Sequence, residues 1–147
     1  MDLGQRSPRS VREKLAGYVH FGRMIDKSRA LLAGTQGEYI YPCPMDRRLL
    51  EYAGITAEQL LEEVRGRSQD EQVADWFLKT AAPHSEREID AWNAMMLALA
   101  PDTDDQWQYF KKIRDSIDPN RGDVSTWADL LDLEEKRAVP ARNAVKR

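Results

Sequence analysis

Along most of the chain, apolar residues recur at the three- and four-residue spacing of helices buried on one side. Phe21, Met24, Ile25, Ser28, Leu31 and Leu32 fall on one side of a helix that begins near Val19. Arg23, Asp26, Lys27 and Ala30 fall opposite, and Gly34 follows the last turn, where glycine commonly ends a helix. Leu49, Tyr52 and Ala53 mark a second helix from about Met45, with Pro44 suited to its first turn. Leu60, Leu61 and Val64 mark a third, opened by Thr56 with Gln59 three residues on. In that pairing the two side chains satisfy two otherwise unbonded N–H groups of the first turn. Ser68 with Glu71 and Ser85 with Glu88 repeat the signal. They precede Val73, Trp76, Phe77 and Ala81, and then Ile89, Trp92, Met96 and Leu97. Trp107, Phe110, Ile113 and Ile117 mark a sixth helix, opened at Asp102 or Thr103. Trp127, Leu130 and Leu131 mark a seventh, starting near Ser125.

This pattern predicts an all-α, compact single-domain bundle of about seven short helices over residues 1–137. An extended basic arm is expected at 1–14 and a flexible basic tail at 138–147. The stretch Gly37-Glu38-Tyr39-Ile40-Tyr41-Pro42 alternates and is rich in aromatic residues, so at most one tiny extended or hairpin segment is expected, near 38–42. A length of 147 residues suits one core.

Charge changes the picture of possible partners. Residues 1–29 carry a net +4, residues 30–133 a net −10, and residues 134–147 a net +3. An acidic body with basic ends is a poor nucleic-acid surface, because such binding rests on a clustered basic face. A nucleic-acid role would have to run through Arg6, Arg9, Arg12 and Lys14 of the arm; the plainer expectation is solvated termini. No apolar run reaches the roughly 20 residues of a membrane-spanning helix. Cys43 is the single cysteine, which excludes an internal disulfide and fits a reducing cytoplasm.

Candidate chemistry gathers in two neighbouring stretches. In the first, Arg23 and Lys27 stand one turn apart, two cations that a bound anion would relieve. Asp26 and Arg29 lie beside them, with Asp26 three residues from both arginines. In the second, Tyr39, Tyr41, Cys43 and Asp46 lie on a segment stiffened by Pro42 and Pro44. Cys43 precedes a helix start and has no histidine base nearby in sequence, though His20 or His84 could approach in space. Two histidines and one cysteine without paired spacing weigh against a zinc site, and no metal or cofactor is expected. Asn93 and Arg114 interrupt apolar stripes, the first as an interhelical tie or a pocket anchor, the second as a stem covering apolar surface. Phosphate-loop, dinucleotide-binding, metalloprotease, paired-cysteine and nucleophile-elbow motifs are absent.

The run Gly17-Tyr18 through Arg23-Met24-Ile25-Asp26-Lys27-Ser28-Arg29-Ala30 carries a resemblance, together with Gly37-Glu38-Tyr39-Ile40-Tyr41 and Cys43-Pro44-Met45-Asp46. With Gly54-Ile55-Thr56 and Trp127-Ala128-Asp129-Leu130-Leu131-Asp132, the chain resembles, over residues 2–135, a family of small bacterial proteins catalogued as a domain of unknown function. The resemblance implies a soluble, mostly helical bacterial protein and carries no catalytic residue with it. The residues themselves favour a non-catalytic module binding a small anionic ligand or another protein through one concave patch of Arg23, Asp26, Lys27, Arg29, Tyr39, Tyr41, Cys43 and Asp46. The alternative is a small enzyme using Lys27 or Cys43, with Asp26 or a tyrosine moving protons on an anionic substrate.

Overall fold

The computed structural model describes residues 1–143. Among them the chain forms seven helices and one two-stranded hairpin, in the order β1 (Lys14–Leu15), β2 (Tyr18–Val19), α1 (Phe21–Ala33), α2 (Pro44–Ala53), α3 (Ala57–Gly66), α4 (Asp70–Thr80), α5 (Glu86–Ala98), α6 (Asp104–Ile117) and α7 (Trp127–Glu134). The all-α expectation holds. Two units emerge, residues 1–91 and 92–147, and residues 144–147 of the expected tail lie outside the described part. No helix among the described residues is long and apolar enough to cross a membrane.

The hairpin lies earlier than expected. β1 and β2 pair antiparallel, Lys14 opposite Val19 and Leu15 opposite Tyr18. Ala16 and Gly17 between them both have positive φ, the backbone a two-residue hairpin turn requires. The stretch 37–42 forms no strand because its backbone groups are taken elsewhere. The Ile40 carbonyl accepts from Lys27 Nζ, the Tyr39 N–H donates to the Gln36 carbonyl, and Pro42 has no N–H.

Helix starts follow their caps. Thr56 and Gln59 exchange side-chain-to-backbone bonds of 3.0 and 2.8 Å, and Ser85 and Glu88 do the same at 3.1 and 2.8 Å. At α4 the start shifts by one residue, and Gln69 with Gln72 replaces Ser68 with Glu71. Thr103 and Thr126 cap α6 and α7. Gly34 and Gly54 end α1 and α2 in the left-handed conformation.

The first unit is built on α1, which is buried nearly all round. Phe21, Met24, Ile25 and Ala30 are enclosed, but so are Arg23, Asp26, Lys27 and Ser28. The side opposite the apolar stripe is therefore enclosed as well. Each charged head instead meets a partner from another segment, which is how a buried charge survives. The amino-terminal arm supplies one such partner and is held down along its length. Leu3 and Val11 are buried, and Arg9 grips Asp26 and Asp70. Gly22 of α1 makes room for this grip, since a Cβ there would lie 3.1 Å from the Arg9 guanidinium. His84 is half-buried and stacks on Tyr52 with ring centroids 3.8 Å apart.

In the second unit Trp107, Phe110, Val124 and Leu130 form a core, with Ala100, Ile113, Trp127 and Val139 against it. Ile117, expected on that face, is exposed. Arg114 is buried, and its guanidinium donates to the Val124 carbonyl at 3.0 Å and to Asp115 at 3.1 Å. It pins the loop between α6 and α7, the structural role its covered stem suggested. Of the tail, Arg142 pairs with the buried Asp129. Asn93 of α5 is buried.

Candidate functional site

Asp46 is the centre of a polar cluster enclosed in the first unit. It occupies the third position of α2, and its side chain has no exposure. Three donors reach it. Lys27 Nζ donates to Oδ2 at 2.6 Å, the Cys43 backbone N–H donates to Oδ2 at 2.8 Å, and His20 Nε2 lies 2.6 Å from Oδ1. In return the Asp46 N–H donates to the Cys43 sulfur at 3.4 Å. Cys43 and Asp46 thus form a reciprocal cap in which a thiol takes the place of the usual hydroxyl. Burial alone would raise the Asp46 pKa; the His20 hydrogen bond and the Lys27 charge outweigh it and hold the carboxyl at about 2.

His20 reaches Asp46 through an unusual backbone. It caps α1 with φ of 71°, a left-handed conformation that costs a residue other than glycine free energy and recurs at functional sites. The ring is 1% exposed. Burial pushes its pKa below the ordinary 6.5, more strongly than the Asp46 contact raises it, so the imidazole is neutral. A neutral imidazole beside an ionised carboxylate carries its proton on the nitrogen facing that carboxylate, here Nε2. Nδ1 is then a lone-pair acceptor, and it is buried without a partner.

Lys27 links this cluster to a pocket. Its ammonium, 4% exposed, spends its three protons on Asp46, on the Ile40 carbonyl at 2.9 Å and on the Cys43 sulfur at 3.3 Å. Lys27 also lines a pocket of about 220 Å³ with Leu31, Gln36, Tyr39, Ile40 and Tyr41. The Gln36 amide oxygen is buried and has no hydrogen-bond partner. The Tyr41 hydroxyl donates to the Ala57 carbonyl at 2.8 Å, and burial raises its pKa, so it stays a phenol. The loop carrying Gln36 is tied to the arm, as Leu3 N–H donates to the Thr35 carbonyl and Thr35 Oγ1 to the Met1 carbonyl.

The eight residues expected at one patch therefore divide. Lys27, Tyr39 and Tyr41 line the pocket, Cys43 and Asp46 join Lys27 in the cluster, and the Arg23 guanidinium lies 5.6 Å from the Tyr39 ring centroid. Asp26 and Arg29 belong to a separate network. Asp26 takes the Arg9 backbone N–H at 2.8 Å and two guanidinium nitrogens at 3.1 Å, while Arg29 and Arg9 share Asp70 at 2.7 Å each. The expected pairing of Asp26 with Arg23 and Arg29 gives way to Arg9, whose planar fork satisfies two carboxylates together. Arg9 is thereby spent, which weakens the nucleic-acid reading of the arm. Gln36 and Asp70 were not foreseen as site residues, and Arg9 was considered only for nucleic acid. His20 comes close to Cys43 as the sequence allowed, a ring nitrogen within 4.8 Å of the sulfur. His20 carries one signal, a polar residue set between Val19 and Phe21 just before a helix.

Ligand atoms of His20, Cys43 and Asp46 all lie within 4.8 Å of one another, a set that could hold a metal ion. Lys27 Nζ already provides the positive charge there, within contact of both the carboxylate and the sulfur. A divalent cation would face that ammonium at close range, which is strongly unfavourable in a buried site.

No curated protein matches the chain. The model of one family, the domain of unknown function DUF5069, matches residues 5–137, and the chain belongs to that family.

Proposed function

We propose that this DUF5069 chain binds a small polar molecule in the pocket beside Lys27, as a binding module rather than a catalyst. The observation that carries the reading is convergence: Lys27 and Leu31 of α1 line one concavity with Gln36, Tyr39, Ile40 and Tyr41 of the segment that follows it. The unpartnered Gln36 oxygen supports it further, since an orphaned acceptor costs about 1–3 kcal/mol and a ligand donor would recover that. On the other side, a ligand oxygen could take the Lys27 proton now given to sulfur, the weakest of its three acceptors. A small hydroxy- or amino-carboxylate carries both groups. The anionic part of this reading is modest, because Asp46 already balances the Lys27 charge.

A thermal-shift screen of small carboxylates tests it. Ligand at a hundredfold excess over Kd stabilises by about 2.7 kcal/mol, a rise of several degrees in melting point. The shift should vanish in Leu31→Trp, which fills the pocket without touching the cluster, and shrink in Gln36→Ala. A shift that survives Leu31→Trp sinks the assignment. The enzyme reading retains one supporting observation, the sulfur 3.3 Å from the Lys27 ammonium. Asp26 drops out of it, being enclosed by Arg9.

A further inference from the structure

Residues 137–143 form no helix or strand, yet they lie against the second unit held as a bound peptide is held. Arg121, in the loop between α6 and α7, donates to two successive carbonyls of the segment, Val139 at 2.9 Å and Pro140 at 3.0 Å. Asp123 of the same loop accepts the Arg142 backbone N–H at 2.7 Å. Asp129, buried in the first turn of α7, takes the Arg142 guanidinium at 3.0 and 3.2 Å, the two-pronged contact that suits an arginine. Val139 is half-buried against the core of Trp107, Phe110, Val124 and Leu130. The segment turns back onto the unit through Lys136, at φ of 63°, and the Arg137 N–H closes the turn on the Asp132 carbonyl at 2.8 Å. Glycine is the usual residue at that left-handed position, and a lysine there costs free energy. The groove is thus made of partly or fully enclosed side chains, and its occupant is a strap with exposed flanks and a strained root.

We propose that this groove is a docking site for an extended, arginine-bearing segment of a partner protein, and that residues 139–142 occupy it as an autoinhibitory strap. These ties are ones a foreign chain reproduces in full: two carbonyls, one N–H, one apolar side chain and one guanidinium. The partner's segment carries an apolar residue followed by proline, with an arginine three places after the apolar one, as Val139, Pro140 and Arg142 do. Proline fixes its own φ and keeps the residue before it extended, so such a segment arrives already shaped for the groove. Charge sets the sign of the partner. With Arg142 lifted out, Asp123 and Asp129 face Arg121, two carboxylates against one guanidinium, and the groove calls for a cation again. An ammonium serves less well there, because it lacks the planar fork. The strap is tethered, so it competes at an effective concentration of roughly millimolar. A partner segment displaces it by making further contacts beyond the groove.

The test uses the full chain and a fluorescent synthetic peptide, Arg-Ala-Val-Pro-Ala-Arg-Asn, which copies residues 137–143. In one chain Arg142→Glu sets a carboxylate against Asp129 and releases the strap without altering the groove. By fluorescence anisotropy that chain should bind the peptide at least about tenfold more tightly than the natural chain, since a groove nine-tenths filled loses about tenfold in apparent affinity. A peptide with glutamine in place of its second arginine should lose most of the binding, and added salt should weaken what the arginine contributes. Equal affinity for the two chains, or no binding to the released one, overturns the proposal. Where Arg142→Glu does not fold, hydrogen exchange on the natural chain decides. Excess arginine peptide should speed exchange across residues 138–143 and the glutamine peptide should not; exchange unmoved by either overturns the proposal. A natural chain that dimerises as its concentration rises, beside an Arg142→Glu chain that stays monomeric, would give the groove to a second copy and overturn the separate partner.

Discussion

Asp46 and His20 are linked by a single hydrogen bond, yet each is held in a charge state that acid removes by its own route. The Asp46 carboxyl is depressed from 3.8 to about 2. Its contribution is present above 3.8 and is lost as pH falls through 3.8 toward 2. One pKa unit is 1.36 kcal/mol, so the whole is about 2 kcal/mol. His20 is lowered from 6.5 by burial. Between 6.5 and its folded value the unfolded chain binds a proton that the folded chain does not, so stability again declines as pH falls. Urea unfolding should therefore show stability dropping in two stages, one beginning near pH 6.5 and one below about pH 4, where Asp70, also depressed, adds to Asp46. A flat profile from about pH 7 to pH 5 would mean that His20 is not held neutral.

The elements show what could and could not be read from the residue order. Helix starts were legible at Thr56 and Ser85, each with its partner three residues on, and Thr103 was one of two candidates for α6. The caps of α4 and α7 stand one residue beyond the expected Ser68 and Ser125. The start of α2 follows the same spacing, but cysteine is not among the usual caps, so the Cys43–Asp46 box went unforeseen. That cap gives a prediction. Cys43→Ser keeps an acceptor for the Asp46 N–H and should leave stability within about 0.5 kcal/mol, whereas Cys43→Val should cost roughly 1 kcal/mol in urea midpoint. Equal losses in both would show that the cap contributes nothing. The burial of the charged side of α1 could not be read from its residues. Its partners lie far along the chain, Asp46 19 residues beyond Lys27 and Asp70 41 residues beyond Arg29. No local period carries that information, because periodicity reports only which residues share a face.

Across the whole chain, the longest reach belongs to the arm. Arg9 ties a segment without regular structure to Asp26 of α1 and Asp70 of α4, and Arg29 shares the second carboxylate. Asp26 is enclosed while Arg9 is partly exposed, so solvent screens some of what the pair is worth. Arg9→Ala strands a buried carboxylate and should cost roughly 2–3 kcal/mol, somewhat less than a fully buried pair. Arg9→Lys should recover only part of it, since an ammonium lacks the fork that serves two carboxylates. Thermal melts of both variants check this, and a neutral Arg9→Ala would return the arm to the solvated terminus first expected.

The ties between Met1, Leu3 and Thr35 carry a practical corollary. The first three residues brace the turn in which Gly37, at φ of 59°, leaves no room for a side chain, since a Cβ there would lie 2.9 Å from the Leu3 carbonyl oxygen. A change at Met1 or Leu3 would therefore be felt one residue from Thr35, at the Gln36 that lines the pocket.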